Sequence, residues 1–188
     1  DPDVRATLVY QLCNLPLDTL LTPAALAPLL THPRAHNRYW AAVLYARSTE
    51  PGLEPLLELA TADSDMGVRL AALRGLRHHA RRLSAGDLLE VCQANDPRLQ
   101  AAAWAVVCAT PDLATVVTRL REAAVNGQVG VRAAIAAELP SLEPTLAREL
   151  MPPLADDRHP SVRAVAAAAS ARSADPELLD PLLRLADD

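Results

Sequence analysis

A basic segment in the first half of the chain holds the side chains with the clearest capacity for chemistry. No acidic residue interrupts it, although the chain as a whole carries a net charge of −5. Clustered guanidinium groups can bind carboxylate or phosphate groups. On a helix, four side chains of this segment would share the face opposite the packing face. These four residues are Arg74, Arg77, His78 and Arg81.

Aromatic residues precede the basic segment at spacings that place them on matching helix faces. Tyr39, Trp40 and Arg47 belong to the preceding helix of the same kind, and Tyr10 belongs to the one before that. Exposed Tyr, Trp and Arg together are typical of protein-binding hot spots. Two interpretations stay open. The side chains contact a partner, or Tyr39 and Trp40 pack against a neighbouring helix or loop.

The rest of the sequence offers little for catalysis or metal binding. His32 and His36 are four residues apart, but Pro33 interrupts any helix between them and no third ligand is near. The sequence contains no glycine-rich phosphate loop and no nucleophile motif. We therefore predict a protein that is not an enzyme and that uses no metal and no cofactor.

The cysteines and the hydropathy pattern bear on the compartment. Cys13, Cys92 and Cys108 are odd in number and form no short-range pair, which favours buried thiols in a reducing compartment. No apolar run is long enough to cross a membrane, and no basic-then-apolar leader begins the chain. The sequence predicts a cytoplasmic protein without a membrane partner.

These side chains are positioned by a pattern that returns about every thirty-one residues. A Val-Arg pair or its equivalent marks each copy, and the copies are separated by 33, 31, 31, 32 and 31 residues. Such a period is typical of a solenoid of helix pairs, in which each pair packs only on its neighbours. The six marks are Val4-Arg5, Asn37-Arg38, Val68-Arg69, Leu99-Gln100, Val131-Arg132 and Val162-Arg163.

The composition indicates an all-α fold, because Ala and Leu dominate and Phe is absent. Residues at −1, +3 and +7 from each arginine fall on one helical stripe, where alanines allow close helix packing. Trp104, beside this stripe, is predicted to lie in the core. Capping signals predict that the first helix of each pair begins near Thr22-Pro23, Pro51, Ser84, Thr110-Pro111, Ser141 and Asp175-Pro176.

An acidic residue stands six positions before some of these arginines. Asp63 precedes Arg69 and Asp157 precedes Arg163, whereas Ala94 and Gln100 replace both members together in the fourth copy. The joint replacement suggests that acid and arginine interact. We interpret the arginines as structural rather than anion-binding, because partly buried guanidinium groups need fixed partners. The arginines concerned are Arg5, Arg38, Arg69, Arg132 and Arg163.

The chain resembles HEAT repeats in four features: paired helices, an Asp-containing turn, the Val-Arg mark and the Ala/Leu pattern. It resembles the compact bacterial form of these repeats, which is similar to the repeats of phycobilisome lyases. The resemblance implies a right-handed α-solenoid of about five and a half repeats. It also implies that the Val-Arg helices line the concave face and that Asp–Arg pairs form a ladder between adjacent repeats. The pattern predicts one HEAT-like domain over residues 1–188, with half-repeats at both ends. We expect it to be an excerpt of a longer multidomain protein, whose flanking domains or self-association cover those ends.

We predict a non-enzymatic scaffold that presents its concave face to a protein or peptide partner. One alternative is a nucleic-acid binder that uses the Arg and aromatic cluster, although the negative net charge disfavours it. Another is an enzyme with a HEAT-like fold, such as a bilin lyase or a DNA glycosylase. Steep weakening of binding with rising salt would separate the nucleic-acid binder from the scaffold.

Overall fold

The computed structural model describes residues 22–48, 50–173 and 175–178. All regular secondary structure in these ranges is helical and no strand occurs in them, which confirms the all-α prediction. The chain divides into two compact units, Asp1–His79 and Ala80–Asp188. The prediction of a single domain stays a prediction.

The described residues of the first unit form two helix pairs. Helix α1 packs on α2, α3 packs on α4, and α2 packs along α4. The second helices of successive pairs are therefore direct neighbours within this unit. The bounds are α1 Pro23–Leu30, α2 Ala35–Tyr45, α3 Glu54–Ala62 and α4 Met66–His78.

The second unit repeats this arrangement. Helix α5 packs on α6, α7 on α8 and α9 on α10, while α8 packs against both α6 and α10. The α-helices are α5 Leu89–Cys92, α6 Pro97–Val107, α7 Val117–Asn126, α8 Val129–Glu138, α9 Pro144–Ala155 and α10 Pro160–Ser170. Short 3-10 helices span Ala80–Arg82, Ala85–Leu88, Leu113–Val116, Leu139–Ser141 and Pro176–Leu178.

The core follows the predicted helical stripe wherever the structure describes it. The apolar residues at −1 are buried in α4, α6, α8 and α10, and the alanines at +3 are buried in α2, α4, α6 and α10. The approach of α2 to α4 is close enough that a Cβ at Gly75 would lie 2.6 Å from the Cβ of Ala46. Trp104 is 5% exposed, which confirms its predicted place in the core.

Some helix starts differ from those predicted. Thr22 does cap α1, and Ser84 with Asp87 forms the expected capping box, which opens the 3-10 helix Ala85–Leu88. The helices near Pro51, Thr110-Pro111 and Ser141 begin later than predicted, at Glu54, Leu113 and Pro144. The hydroxyl of Thr110 instead donates to the carbonyl of Val107 and closes the preceding helix.

Two further sequence predictions concern the cysteines and the membrane. Cys92 and Cys108 are buried, as predicted, whereas Cys13 lies outside the described residues. Within the described ranges, no helix combines the length and the apolar character that spanning a membrane requires.

Candidate functional site

The predicted aromatic pair lies on helix α2. The rings of Tyr39 and Trp40 meet edge to face, with centroids 4.9 Å apart and planes at 89°. His36 approaches the other side of the indole, with ring centroids 6.2 Å apart. Both aromatic residues are half-buried. His36, Tyr39 and Trp40 therefore form one small aromatic cluster on α2.

The indole of Trp40 is incompletely satisfied. Its Nε1 is buried and has no hydrogen-bond partner among the described residues. A buried donor without a partner costs about 1–3 kcal/mol. Tryptophans that serve only as core residues usually find a partner for this N–H group.

The predicted basic residues gather at the carboxyl ends of two neighbouring helices. Arg47 follows the end of α2, while Arg77 and His78 occupy the last turn of α4. His79 Nε2 lies 2.6 Å from the carbonyl oxygen of Ala46, and this contact joins the two helix ends. Cationic side chains at a helix carboxyl end are favoured by the helix dipole, so part of this clustering is structural.

The remaining members of the predicted patch are dispersed. Arg74 and His78 are exposed on α4 and Arg47 is exposed beyond α2, whereas Arg77 is half-buried. Arg81 is exposed but belongs to the second unit, in the 3-10 helix Ala80–Arg82. Tyr10 lies outside the described residues. We refer to Tyr39, Trp40, Arg47, Arg74, Arg77 and His78 as the α2–α4 patch.

Two arginine–aspartate pairs connect consecutive helix pairs. Arg132 on α8 donates from Nε and one terminal nitrogen to Asp157, at 2.6 and 2.8 Å, and from the other to the carbonyl of Gly127. The side chains are 1% and 6% exposed. In the first unit, Arg38 binds Asp63 at 2.6 and 2.8 Å and also donates to the carbonyl of His32. Both pairs are bidentate and span 25 residues.

These partners correct the sequence-based pairing. Asp63 and Asp157 were expected to bind the arginines six residues later, but each carboxylate binds the arginine 25 residues earlier. Arg69 instead donates to the carbonyl of Ala60, and Arg163 to the backbone carbonyl of Asp157. The arginine six residues after each acid donates to a backbone carbonyl, and the arginine of the preceding helix pair binds the carboxylate.

The pKa values of both aspartates reflect these bonds. Hydrogen bonds from Arg132 hold the pKa of Asp157 below its usual range, although burial opposes this. At Asp63 burial is the largest influence and favours the neutral acid. The bonds from Arg38 and from the backbone amide of Asp65 outweigh it and lower the pKa of Asp63. Both carboxylates are therefore ionised at neutral pH.

The fourth copy of the pattern lacks this ion pair and borders a cavity of about 310 Å³. Gln100 donates from Nε2 to the carbonyl of Ala94 at 2.7 Å, and so replaces the turn contact of an arginine. The residue 25 positions later is Val125, which cannot act as an acid. We call this cavity the Gln100 groove. It is lined by Leu89, Cys92, Gln93, Gln100, Trp104, Arg119, Glu122, Ala123, Asn126, Gly127 and Val131.

A groove of similar size occupies the equivalent place in the first unit. It measures about 360 Å³ and is lined by Ala27, Leu30, Thr31, Arg38, Pro55, Glu58, Leu59, Ala62 and Asp63. Each of these nine residues has a counterpart in the Gln100 groove. The counterparts of the first four, Ala27 to Arg38, lie 62 residues later in the chain, and those of the last five, Pro55 to Asp63, lie 64 residues later. The groove is thus a feature of the helix pairs. The two grooves differ in their lining, because the first is lined by Arg38 and Asp63, whose charges neutralise each other.

Little in the Gln100 groove suggests catalysis. Burial raises the pKa of the Cys92 thiol to about 12, so this sulfur is not a nucleophile at neutral pH. In the described part of the chain, no group of three His, Cys, Asp or Glu side chains is placed to hold a metal ion. The sequence signal that marked this site was the joint replacement at Ala94 and Gln100.

Comparison with known proteins adds information on the fold alone. No protein-family model matches the sequence, and a comparison with curated proteins found no match. Among solved structures, the chain is similar to the crystal structure of an engineered protein from a structural genomics consortium, with a TM-score of 0.53 at 18% sequence identity. The match covers 88% of this chain and 95% of the engineered one.

Proposed function

We propose that this chain is a non-enzymatic scaffold that binds a protein or peptide partner within a larger intracellular assembly. The proposed architecture is a right-handed, HEAT-like α-solenoid of about five and a half repeats, with the α2, α4, α6, α8 and α10 helices on its concave side. The observation that carries this proposal is the serial packing of these second helices within each unit. Such an array offers a wide surface without a catalytic centre.

The α2–α4 patch is the proposed partner-binding surface. Arg47, Arg74 and His78 are exposed, and Tyr39 and Trp40 form an aromatic cluster on α2, the helix that packs along α4. Aromatic and Arg side chains supply most of the binding energy in many interfaces. The unsatisfied N–H of Trp40 supports a role beyond packing, because a core residue at this position would not need an indole.

Charge reversal at exposed positions tests this surface without removing core contacts. We expect Arg74→Glu with His78→Glu to weaken binding of a captured partner to the purified chain by at least about tenfold, as loss of hot-spot contacts does. Arg158→Glu is the matched control, since Arg158 is exposed in the second unit. A partner that binds the Arg74/His78 double variant as tightly as it binds the parent chain and the Arg158→Glu control would contradict the proposal.

Nucleic acid is the second candidate partner, because Arg74 is exposed in the patch and stands in a segment without acidic residues. Binding to phosphate groups weakens steeply as salt rises, whereas binding to an apolar protein surface does not. A gel-shift titration with single- and double-stranded oligonucleotides at low salt separates the two. A shift that Arg74→Glu abolishes would favour nucleic acid over the protein partner.

A further inference from the structure

The Gln100 groove presents charges that the protein leaves uncompensated. Arg119 and Glu122 lie three residues apart on α7, which places them on one helix face. Neither makes a salt bridge or a side-chain hydrogen bond with another residue in the ranges that the structure describes. Their neighbour Arg121 shows the contrast, since it binds Glu149 at 2.6 and 2.8 Å. One positive and one negative group therefore line the same groove, three residues apart on α7.

Amide groups stand beside these charges. Gln93 and Asn126 line the groove and are exposed, and Gln100 contributes a third amide from the opposite helix. An amide offers both donors and an acceptor, so it can bind either end of a dipolar ligand. The polar side of the groove is thus complementary to a ligand that carries both signs of charge.

The floor of the groove is apolar. Trp104 and Val131 are buried at its base, and Leu89 is half-buried at its side. Its volume of about 310 Å³ is at the lower end of the range of about 300–1,000 Å³ that small-molecule sites occupy. A ligand of this size can fill the floor with one side chain and still reach the charged rim.

We propose that the Gln100 groove binds a free α-amino acid with an apolar side chain. Its carboxylate would bind Arg119, its ammonium group would bind Glu122, and its side chain would lie against Trp104 and Val131. Helix positions i and i+3 are about 5–6 Å apart at Cβ, a spacing that suits a dipolar ligand whose two charged groups are close together. This inference is independent of the proposed scaffold function.

The equivalent groove of the first unit argues that the site is specific. Pro55 stands where Arg119 stands, and Leu59 stands where Ala123 stands, so the first groove lacks the positive group, although its volume of about 360 Å³ is no smaller. Its one arginine, Arg38, is already bound to Asp63. We therefore expect binding only in the second unit.

Isothermal titration of the full chain with L-leucine and L-phenylalanine tests the proposal. We expect saturable binding below about 10 mM, the range available to ligands of so few atoms. N-acetyl-leucine lacks the ammonium group and leucinamide lacks the carboxylate, so each should bind about tenfold more weakly. Arg119→Gln and Glu122→Gln should each lower the affinity for L-leucine by a similar factor, while Arg158→Gln should not change it.

Ala123→Leu places a larger apolar side chain in the lining of the groove. Leucine already occupies the equivalent position in the first unit, so the helix pair accommodates it there. We expect this variant to retain its helical circular dichroism and to lose leucine binding. The proposal is overturned if no binding occurs at 10 mM, if both blocked ligands bind as well as L-leucine, or if the Arg119 and Glu122 variants bind unchanged.

Discussion

Two junctions of the second unit use the same helix arrangement in different ways. Where α8 meets the next helix pair, Arg132 and Asp157 form a buried, bidentate ion pair. Where α6 meets the next pair, Gln100 satisfies only its own turn and leaves a groove lined by unpaired polar groups. The apolar seam is intact at both, because Leu99, Val131 and Val162 are all buried.

Residues at these two junctions perform two separate tasks. The apolar stripe holds the helices together, since burial of each large side chain contributes about 1.5–3 kcal/mol. The ion pair adds little net stability over an apolar alternative, but it becomes indispensable once it is buried. A junction without the pair is therefore tolerated, and its polar groups become available to a ligand.

The largest expected effect comes from breaking the closed junction. Asp157→Ala leaves the Arg132 guanidinium buried without its carboxylate, which should lower the free energy of unfolding by about 3–5 kcal/mol. Asn126→Ala at the open junction is the matched variant, because Asn126 is exposed and should change stability by less than about 0.5 kcal/mol. Urea denaturation measures both. Equal losses in the two variants would remove the distinction between the junctions.

A smaller effect is expected at the turn that serves both junctions. A Cβ at Gly127 would collide with the carbonyl oxygen of Ala123 and approach Val131 Cγ1 at 3.0 Å, so Gly127→Ala should cost about 1–3 kcal/mol. Gly130→Ala is the control. Its Cβ would meet nothing closer than Ala101 at 3.9 Å, and alanine favours the helix by up to about 1 kcal/mol. Thermal unfolding should place the two variants on opposite sides of the parent chain.

Acid should weaken the closed junction selectively. The folded-state pKa of Asp157 is lowered, so its contribution is present above the ordinary aspartate value of about 3.9 and is lost as pH falls through the folded value. We expect Asp157→Asn to flatten the decline of stability below about pH 4. Urea midpoints between neutral and acidic pH measure this slope. Parallel pH profiles for the parent and the variant would show that this carboxylate does not carry the effect.

Restoring the missing pair should have the smallest effect on stability. Gln100→Arg with Asn126→Asp places an arginine and a carboxylate at the open junction, with the carboxylate six residues before Arg132 as Asp63 is before Arg69. We expect the free energy of unfolding to change by less than about 1 kcal/mol. Calorimetry should nevertheless show that the double variant no longer binds L-leucine, because the guanidinium introduced at position 100 then occupies the groove. A large gain in stability would mean that the open junction is a defect rather than a site.

The helical stripe could be predicted from the sequence because it depends on spacing within one helix. The pairing of Asp157 could not, since Arg163 is nearer in sequence and only the packing of successive helix pairs brings Arg132 to the carboxylate. Helix starts near Thr110 and Ser141 were misplaced for a similar reason. The Thr110 hydroxyl donates to the carbonyl of Val107 and closes the preceding helix, and Ser141 ends a 3-10 helix that starts at Leu139.

The Gln100 groove was only partly signalled by the sequence. The joint replacement at Ala94 and Gln100 marked an unusual copy of the pattern, but it was interpreted as the loss of an interacting pair. In the structure these two residues remain in contact through a side-chain-to-backbone hydrogen bond. The polar groups of Arg119 and Glu122 lie on another helix, and no periodicity links them to Gln100.

A double-mutant cycle on the closed junction tests the account most directly. The cycle removes Arg132 and Asp157 singly and together, and a second cycle does the same for Arg163 and Asp157. We predict a coupling energy of about 1–3 kcal/mol between Arg132 and Asp157, and one below about 0.5 kcal/mol between Arg163 and Asp157. Coupling that is stronger for Arg163 would contradict the view that each aspartate joins its turn to the preceding helix pair.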